Sequence, residues 1–463
     1  MIELSRKNIR AVRTTIRQSL GITARRAPCI TLRTTDNQLQ IQAAGDTVAI
    51  ELRLPGNAQP ECFAIPYEAL TACEGRQNDP VSFTRHDNTV VVQWADKGIP
   101  QLATFPVTEP AEMPCTPDTF ASIEPRFLAP MANAVATTDN QESRFALNCV
   151  RLRGSDGQIA ATDSSQALIE TGYSFPWQDE VLVFASGAFA SNDFSGADEV
   201  LIGRSEDWVS IQANSRTLHL KIDKERRFPS IDLQIPTRGS AATTLALSED
   251  DVEFLLTSTR RLPGASEPNS PVTVDLNGVV AIRAAAADLA NSTELVLSNS
   301  RRVGDEVRFS TNREFLNRAA ELGFREIYLR NAEAPVYCQD DRRTYIWALL
   351  SEEDSVKGSS QTIRISSPVS SSTHTPKPRT HSVMTTSQPT TARTATAPPA
   401  AAANNEPDPT PTLLNQAEAL RDSLSSALSD TRDLIASLKR HQKQNRLVET
   451  TLRSLKQLEH IGA

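Results

Sequence analysis

The chain repeats itself, and that constrains its fold more than any other feature. Segments with the apolar spacing of an amphipathic helix open at residues 4–20, 124–138 and 248–262, about 120 residues apart. Each is followed by alternating runs that read as antiparallel strands about a turn: DNQLQIQAAGDTVAIEL from Asp36, DGQIAATDSSQALIETG from Asp156 and NGVVAIRAAAADLANSTELVLS from Asn277. A second helical stretch then begins at Pro66, Ser186 and Thr311, the last with Asn312 placed as an N-cap, and further strands close each unit. The expected fold class is α+β, three tandem domains with two helices each on antiparallel sheets, at 1–115, 116–240 and 241–354. Three unrelated α+β domains in tandem would give the same alternation, so repetition alone leaves that alternative open.

Composition changes sharply after the third unit. Residues 355–412 are dominated by Ser, Thr, Pro and Ala, with few large apolar side chains to offset the entropy of ordering, and are expected to be a disordered linker. Within 413–463, Leu413, Ala417, Leu420, Leu424, Ala427, Thr431, Leu434, Leu438, His441, Asn445, Val448, Leu452 and Leu455 follow a four-three spacing. That is a coiled-coil seam interrupted at Thr431, His441 and Asn445, and it implies a coiled-coil partner for residues 413–459.

Lys and Arg number 48 against 56 Asp and Glu, a net charge of −8, which excludes a nucleic-acid binder acting through bulk positive charge. The six cysteines are scattered singly, with no CxxC pair, so neither disulfides nor a metal site is expected. No apolar run is long enough to span a bilayer and no secretory signal opens the chain, which predicts a cytoplasmic protein without a membrane partner.

Positive charge is concentrated at one place. On the first helix Ile9, Val12, Ile16 and Leu20 form an apolar stripe, while Arg6, Arg10, Arg13 and Arg17 recur at four-three-four spacing beside Lys7, and Arg25 and Arg26 follow. Guanidinium rows suit phosphate, which every nucleotide carries; a solvated or partner-binding face is the competing reading. Arg126, Arg260, Arg261, Arg313 and Arg318 lie on the other helical segments and count only if the fold gathers those helices together.

Catalytic patterns are absent. The sequence has no Gly-rich phosphate loop, no G-x-S-x-G elbow and no H-E-x-x-H. The acidic pairs Asp250-Asp251, Asp340-Asp341 and Glu352-Glu353 sit at helix starts or turns, where carboxylates favour the helix dipole or water. The sequence argues against an enzyme and calls for no cofactor.

Residues 143–170, SRFALNCVRLRGSDGQIAATDSSQALIE, resemble the central domain of the β sliding clamp of bacterial DNA polymerase III. The match is carried by Arg144, Phe145, Leu147, Asn148 and the run Ala161-Thr162-Asp163. Arg227, Phe228 and Pro229 match the segment that closes the same domain. The resemblance extends weakly over 1–354 and not into the linker or the terminal helix. It implies a non-catalytic processivity factor, a head-to-tail homodimer ring whose helices face double-stranded DNA. Its partners would be DNA polymerase and clamp loader subunits. It makes Arg6, Arg10, Arg13, Arg17, Arg25, Arg26, Arg126, Arg260, Arg261, Arg313 and Arg318 the candidate DNA-binding set, and it recasts the charge balance as a prediction of sidedness, basic inside and acidic outside.

The family's partner-peptide pocket maps to Arg144, Leu147, Thr162, Ser165, Ala167, Pro236, Ile346 and Ala348. Here the family's Gly-His-Arg-Leu is replaced by Ser164-Ser165-Gln166-Ala167, and its short Met-Pro-Met-like tail by a chain that runs through Leu350 into the linker. The pocket is expected either to have altered specificity or to have decayed. A scaffold with the same fold that no longer loads on DNA and works through the coiled coil is the alternative.

Overall fold

The computed structural model describes residues 1–369, apart from 23–26, 36, 57–58, 140–142, 192–193, 195, 238, 287–290, 352–354 and 357–361. Arg25, Arg26 and the predicted coiled coil therefore lie outside the described residues, as does most of the predicted linker. All described residues belong to one compact unit, Met1–His374.

The first repeat runs β1 (Ile2–Ser5), α1 (Arg6–Leu20), β2 (Cys29–Thr35), β3 (Gln38–Ala44), β4 (Val48–Pro55), β5 (Glu61–Pro66), α2 (Tyr67–Cys73), β6 (Pro80–His86), β7 (Thr89–Asp96) and β8 (Ile99–Pro106). The second runs β9 (Ala121–Ile123), a 3-10 turn, α3 (Leu128–Val135), β10 (Cys149–Arg153), β11 (Gln158–Thr162), β12 (Gln166–Glu170), β13 (Glu180–Phe184), a 3-10 turn at Gly187–Ala190, β14 (Val200–Arg204), β15 (Trp208–Ala213) and β16 (Arg216–Lys221). The third runs β17 (Thr243–Ala246), α4 (Glu249–Ser258), a 3-10 turn at Thr259–Arg261, β18 (Pro271–Asp275), β19 (Ala281–Ala284), β20 (Thr293–Val296), β21 (Arg301–Gly304), β22 (Arg308–Asn312), α5 (Arg313–Glu321), β23 (Glu326–Leu329), β24 (Val336–Gln339) and β25 (Arg343–Trp347). A last strand, β26 (Ile363–Ser366), follows.

The repeat is also topological. Strand orders β1-β6-β7-β8, β9-β14-β15-β16 and β17-β23-β24-β25 correspond, as do β5-β2-β3-β4, β13-β10-β11-β12 and β22-β18-β19-β20. The predicted domains share sheets: β4 pairs antiparallel with β16, and β12 with β25, each seam joining the third strand after a repeat's first helix to the last strand of the next repeat. Boundaries near 115 and 240 thus join units that are hydrogen-bonded into continuous sheets of eight and nine strands.

Three expectations change. The first helix starts at Arg6, because Ile2 and Leu4 alternate inward as β1 beside β6 and Ser5 caps the helix. The helix expected from Ser186 contracts to the four-residue turn Gly187–Ala190, since Gly, Ser and Asn dominate that stretch and carry poor helix propensity. Within the predicted linker, Ile363–Ser366 forms a strand, where the β-branched pair Ile363 and Ile365 meets the edge of β20. By contrast, Asn312 caps α5 as expected, its side chain accepting from the Glu314 N–H at 2.8 Å.

Apolar residues of the first two repeats merge into one core and those of the third form another. A smaller cluster around Phe228, Ile231, Tyr337 and Ile346 covers the outer face of the seam between the second and third repeats. No helix among the described residues is long and apolar enough to cross a membrane.

Candidate nucleic-acid interface and partner pocket

The helix α1 begins where Ser5 Oγ accepts the Asn8 N–H at 3.1 Å and ends at Gly21, whose φ of +58° is the left-handed conformation that glycine adopts without strain. Ile9, Val12 and Ile16 are buried as predicted, with Leu20 half-buried at the core's margin. At about 100° per residue, Arg6 and Arg13 lie closest to that buried stripe, on the side where α2 packs. They are consumed there. Arg6 donates to the carbonyls of Cys73, Glu74 and Ala95 at 3.2, 3.0 and 3.0 Å and to the Asp96 carboxylate at 2.8 Å. Arg13 pairs with Glu74. Arg10 and Arg17, one step further round, are exposed together with Lys7, and among the described residues neither arginine has an acidic partner. The predicted row of four therefore splits into two structural arginines and two open ones. Lys7 joins the open pair; its exposure follows from its distance from the apolar stripe on the helical wheel.

The helices touch in a single row. The α1 helix packs on α2 and on the Gly187–Ala190 turn, which packs on α3; α5 packs on α4. At the first junction Ser186 Oγ donates to the Ser19 carbonyl at 2.8 Å, and a side chain at Gly187 would stand 2.7 Å from the Gln18 carbonyl oxygen, so the close approach needs glycine. At the second, Arg318 donates to the Asn133 carbonyl at 2.6 Å and to Thr137 Oγ1 at 2.8 Å, tying α5 to the end of α3. Arg318 thus acts as an interdomain staple.

Arg313 corrects the sequence reading outright. It is fully buried, and its guanidinium donates to the carbonyls of Thr259, Leu262, Pro263, Ser270 and Pro271 at 2.6 to 3.4 Å, so it offers nothing to a phosphate. Arg126 is exposed and paired with Glu124. Arg260 bridges Glu321 at 2.5 Å and Glu314 at 3.7 Å, and Arg261 is exposed. A uniformly basic row is also not what forms. The α4 helix, the third repeat's counterpart of α1, exposes Glu249, Asp250 and Glu253 and has no Lys or Arg within it. Acids in a first turn complement the helix dipole, which accounts for Glu249 and Asp250 locally.

The predicted pocket residues fall along the seam between the second and third repeats. Thr162, Ser165, Ala167, Ile346 and Ala348 come together: Ala167 stands opposite Ile346, and the Ala348 N–H donates to the Ser165 carbonyl at 2.8 Å. Thr162 Oγ1 donates to the Gln166 carbonyl at 2.7 Å, and Asp163 accepts from the N–H groups of Ser165 and Gln166 at 2.8 Å, which locks the turn that replaces Gly-His-Arg-Leu. Leu147 and Pro236 are buried, whereas Arg144 is exposed with its guanidinium 4.8 Å from the Phe145 ring centroid. The open cavity of this region lies to one side. It measures about 230 Å³ and is lined by Gly239, Ala241, Thr244, Tyr328, Tyr337 and Gln339, none of them predicted. Tyr337, the strand partner of Ile346, connects the two places. Sequence reasoning missed Tyr337 because its meaning depends on that pairing.

The structure is similar to that of the DNA polymerase III subunit beta from Pseudomonas aeruginosa, with a TM-score of 0.62 at 15% identity over 76% of this chain and 100% of that one. The beta subunit from Thermotoga maritima gives 0.61 at 11% identity over 76% and 100%, and the beta chain from Streptococcus pneumoniae 0.60 at 14% over 76% and 99%. No protein-family model and no curated protein sequence matches the chain. At these identities the likeness is one of fold. Three repeats joined through shared sheets, with their helices in one row, give this chain the fold of the DNA polymerase sliding clamps.

Proposed function

We propose that the chain is a DNA sliding clamp: two copies close head to tail into a ring around duplex DNA and tether a DNA polymerase during replication, catalysing nothing themselves. The observation that carries the reading is the open cationic face of α1, where Lys7, Arg10 and Arg17 stand exposed on a helix that belongs to the continuous row. Contacts to phosphate are independent of base sequence, so such a face retains DNA while permitting movement along it. A heterologous interface that closes by rotation gives a ring. The repeat supplies its edges, since β20 and β8 are the third-strand and last-strand counterparts of the pairs that form the internal seams. Polymerase and loader subunits would dock on the outer seam near Tyr337 and Ile346, and tethering would raise the polymerase's effective concentration at the primer end.

The test is retention on closed circular DNA. Arg10→Glu with Arg17→Glu is expected to weaken retention by about a hundredfold without changing the melting temperature, and undiminished retention would overturn the reading. The acidic face of α4 favours a second reading, a clamp-fold scaffold that does not load on DNA and acts through its C-terminal segment; it predicts no DNA retention by the unmodified chain.

A further inference from the structure

We infer that residues 362–369 are an intramolecular edge guard, occupying in each copy the third-repeat strand edge that a second copy needs to close the ring. This rests on the ring reading above. Both internal seams follow one rule, the third strand after a first helix pairing antiparallel with the last strand of another repeat. Applied to the ends of the row, the rule leaves β20 and β8 to pair between copies. The two edges are in different states.

The β8 edge is open. It is the outer strand of its sheet, and Ile99 and Leu102 are 63% and 64% exposed. Val107 donates its N–H inward to the Asn88 carbonyl at 2.8 Å, while Pro100 and Pro106, of the opposite parity, have no N–H to give. Alternation therefore aims the amides of Leu102 and Thr104 outward, ready for another strand.

The β20 edge is taken by β26. Thr293 stands beside Ile363 and Val296 beside Ser366, and the N–H groups of Ile363 and Ser367 donate to the carbonyls of Ser292 and Val296 at 2.9 Å each. This pairing is parallel, unlike either internal seam, so the guard fills the edge without imitating the partner strand. A polar latch fixes its end. The fully buried Asp251 accepts from the hydroxyls of Ser367 and Ser300 and from the Asn299 side chain, and Ser298 Oγ donates to the Ser367 carbonyl at 2.9 Å. Arg364 reaches Glu294 at 3.0 Å. Burial alone would raise Asp251, but these hydrogen bonds outweigh it and hold its pKa below the usual carboxylate range. The guard is built to be displaced. Ile363 and Ile365 remain 56% and 46% exposed, so little apolar area holds it, and Asp251 keeps its Asn299 and Ser300 donors when Ser367 leaves.

Hydrogen exchange on the full chain tests this, comparing wild type with Ser367→Asp, which sets a second carboxylate against Asp251, and with Ile365→Pro, which removes a ladder N–H. The readout is local to β8, so association through residues 413–463 cannot mimic it. In wild type the Leu102 and Thr104 amides should exchange as an open edge at every protein concentration. In the variants they should slow by about tenfold or more as concentration rises, while the Ile363 and Ser367 amides of the guard speed up. Protection of β8 already present in wild type would overturn the guard and leave the ring standing. A freed guard with β8 still open would overturn the guard together with edge-to-edge closure, and the DNA-retention test separates those two losses. If neither variant frees the Ile363 and Ser367 amides, the segment is a fixed strand of its sheet and the inference falls.

Discussion

The first and third repeats have the same strand order and use their charged residues in opposite ways. On α1 the solvent face carries Lys7, Arg10 and Arg17; on α4 it carries Glu249, Asp250 and Glu253. Both arginines of α5 are spent within the protein, Arg313 in a nest of carbonyls and Arg318 on the neighbouring repeat. An arginine's place on a helix therefore does not decide what it binds. What decides is whether a carbonyl or a carboxylate lies nearer than water.

The sharpest way to break this contrast is to exchange the roles. Arg313→Ala takes the guanidinium from five carbonyls, of which Thr259 and Ser270 keep a backbone N–H donor, and should cost the third repeat about 3 to 5 kcal/mol, read as a lowered melting temperature, whereas Arg10→Ala should stay within about 0.5 kcal/mol. Equal losses would show that α1 and α5 do not differ in this way. On the DNA side, Arg10→Glu with Arg17→Glu should weaken retention by about a hundredfold and lower the salt slope by about 2, one for each lost phosphate contact.

The seams offer a smaller test. His219, opposite Ala49 where the first two repeats join, is buried and pushed down to about 4, with burial the main cause and Glu51 opposing it. An unfolded imidazole titrates near 6.5, so the unfolded chain binds more protons between the two values. The stability tied to a neutral His219 is complete above that window and is lost as pH falls through it, by about 2 kcal/mol at pH 5. Melting of wild type at pH 7 and 5 should show this difference, and His219→Gln should remove it; an unchanged pH response would mean that water reaches the seam. The smallest effect is expected on α4. Glu249→Lys, Asp250→Lys and Glu253→Lys together should strengthen DNA retention by about tenfold, at about 0.3 to 1 kcal/mol of stability for each first-turn acid removed. No gain would place α4 away from the duplex.

Much of this was legible in the chain. Periodicity located five of the six expected helices and the strand pairs after them, because an amphipathic pattern reports which face is buried whatever lies beyond it. It failed at Gly187–Ala190, where a helix-like position is held by a close approach between two repeats, and at Ile363–Ser366, where a strand forms only because β20 presents an edge. Site residues were legible to the same extent. Arg10 and Arg17 stand where spacing put them, but spacing could not separate them from Arg6 and Arg13, which differ only in facing α2. The cavity beside Tyr337 was invisible, since its lining residues are brought together by pairing across a seam.

By itself, then, the sequence determined the threefold repeat, the alternation of its strands and the concentration of positive charge at the start of the chain, all of which follow from local spacing. Tertiary structure alone decided that the repeats share sheets, that Arg313 is core and Arg318 a staple, and that β8 lies open while β20 is covered. Those outcomes depend on which edges and carbonyls meet across long sequence separations, and local spacing carries no record of that.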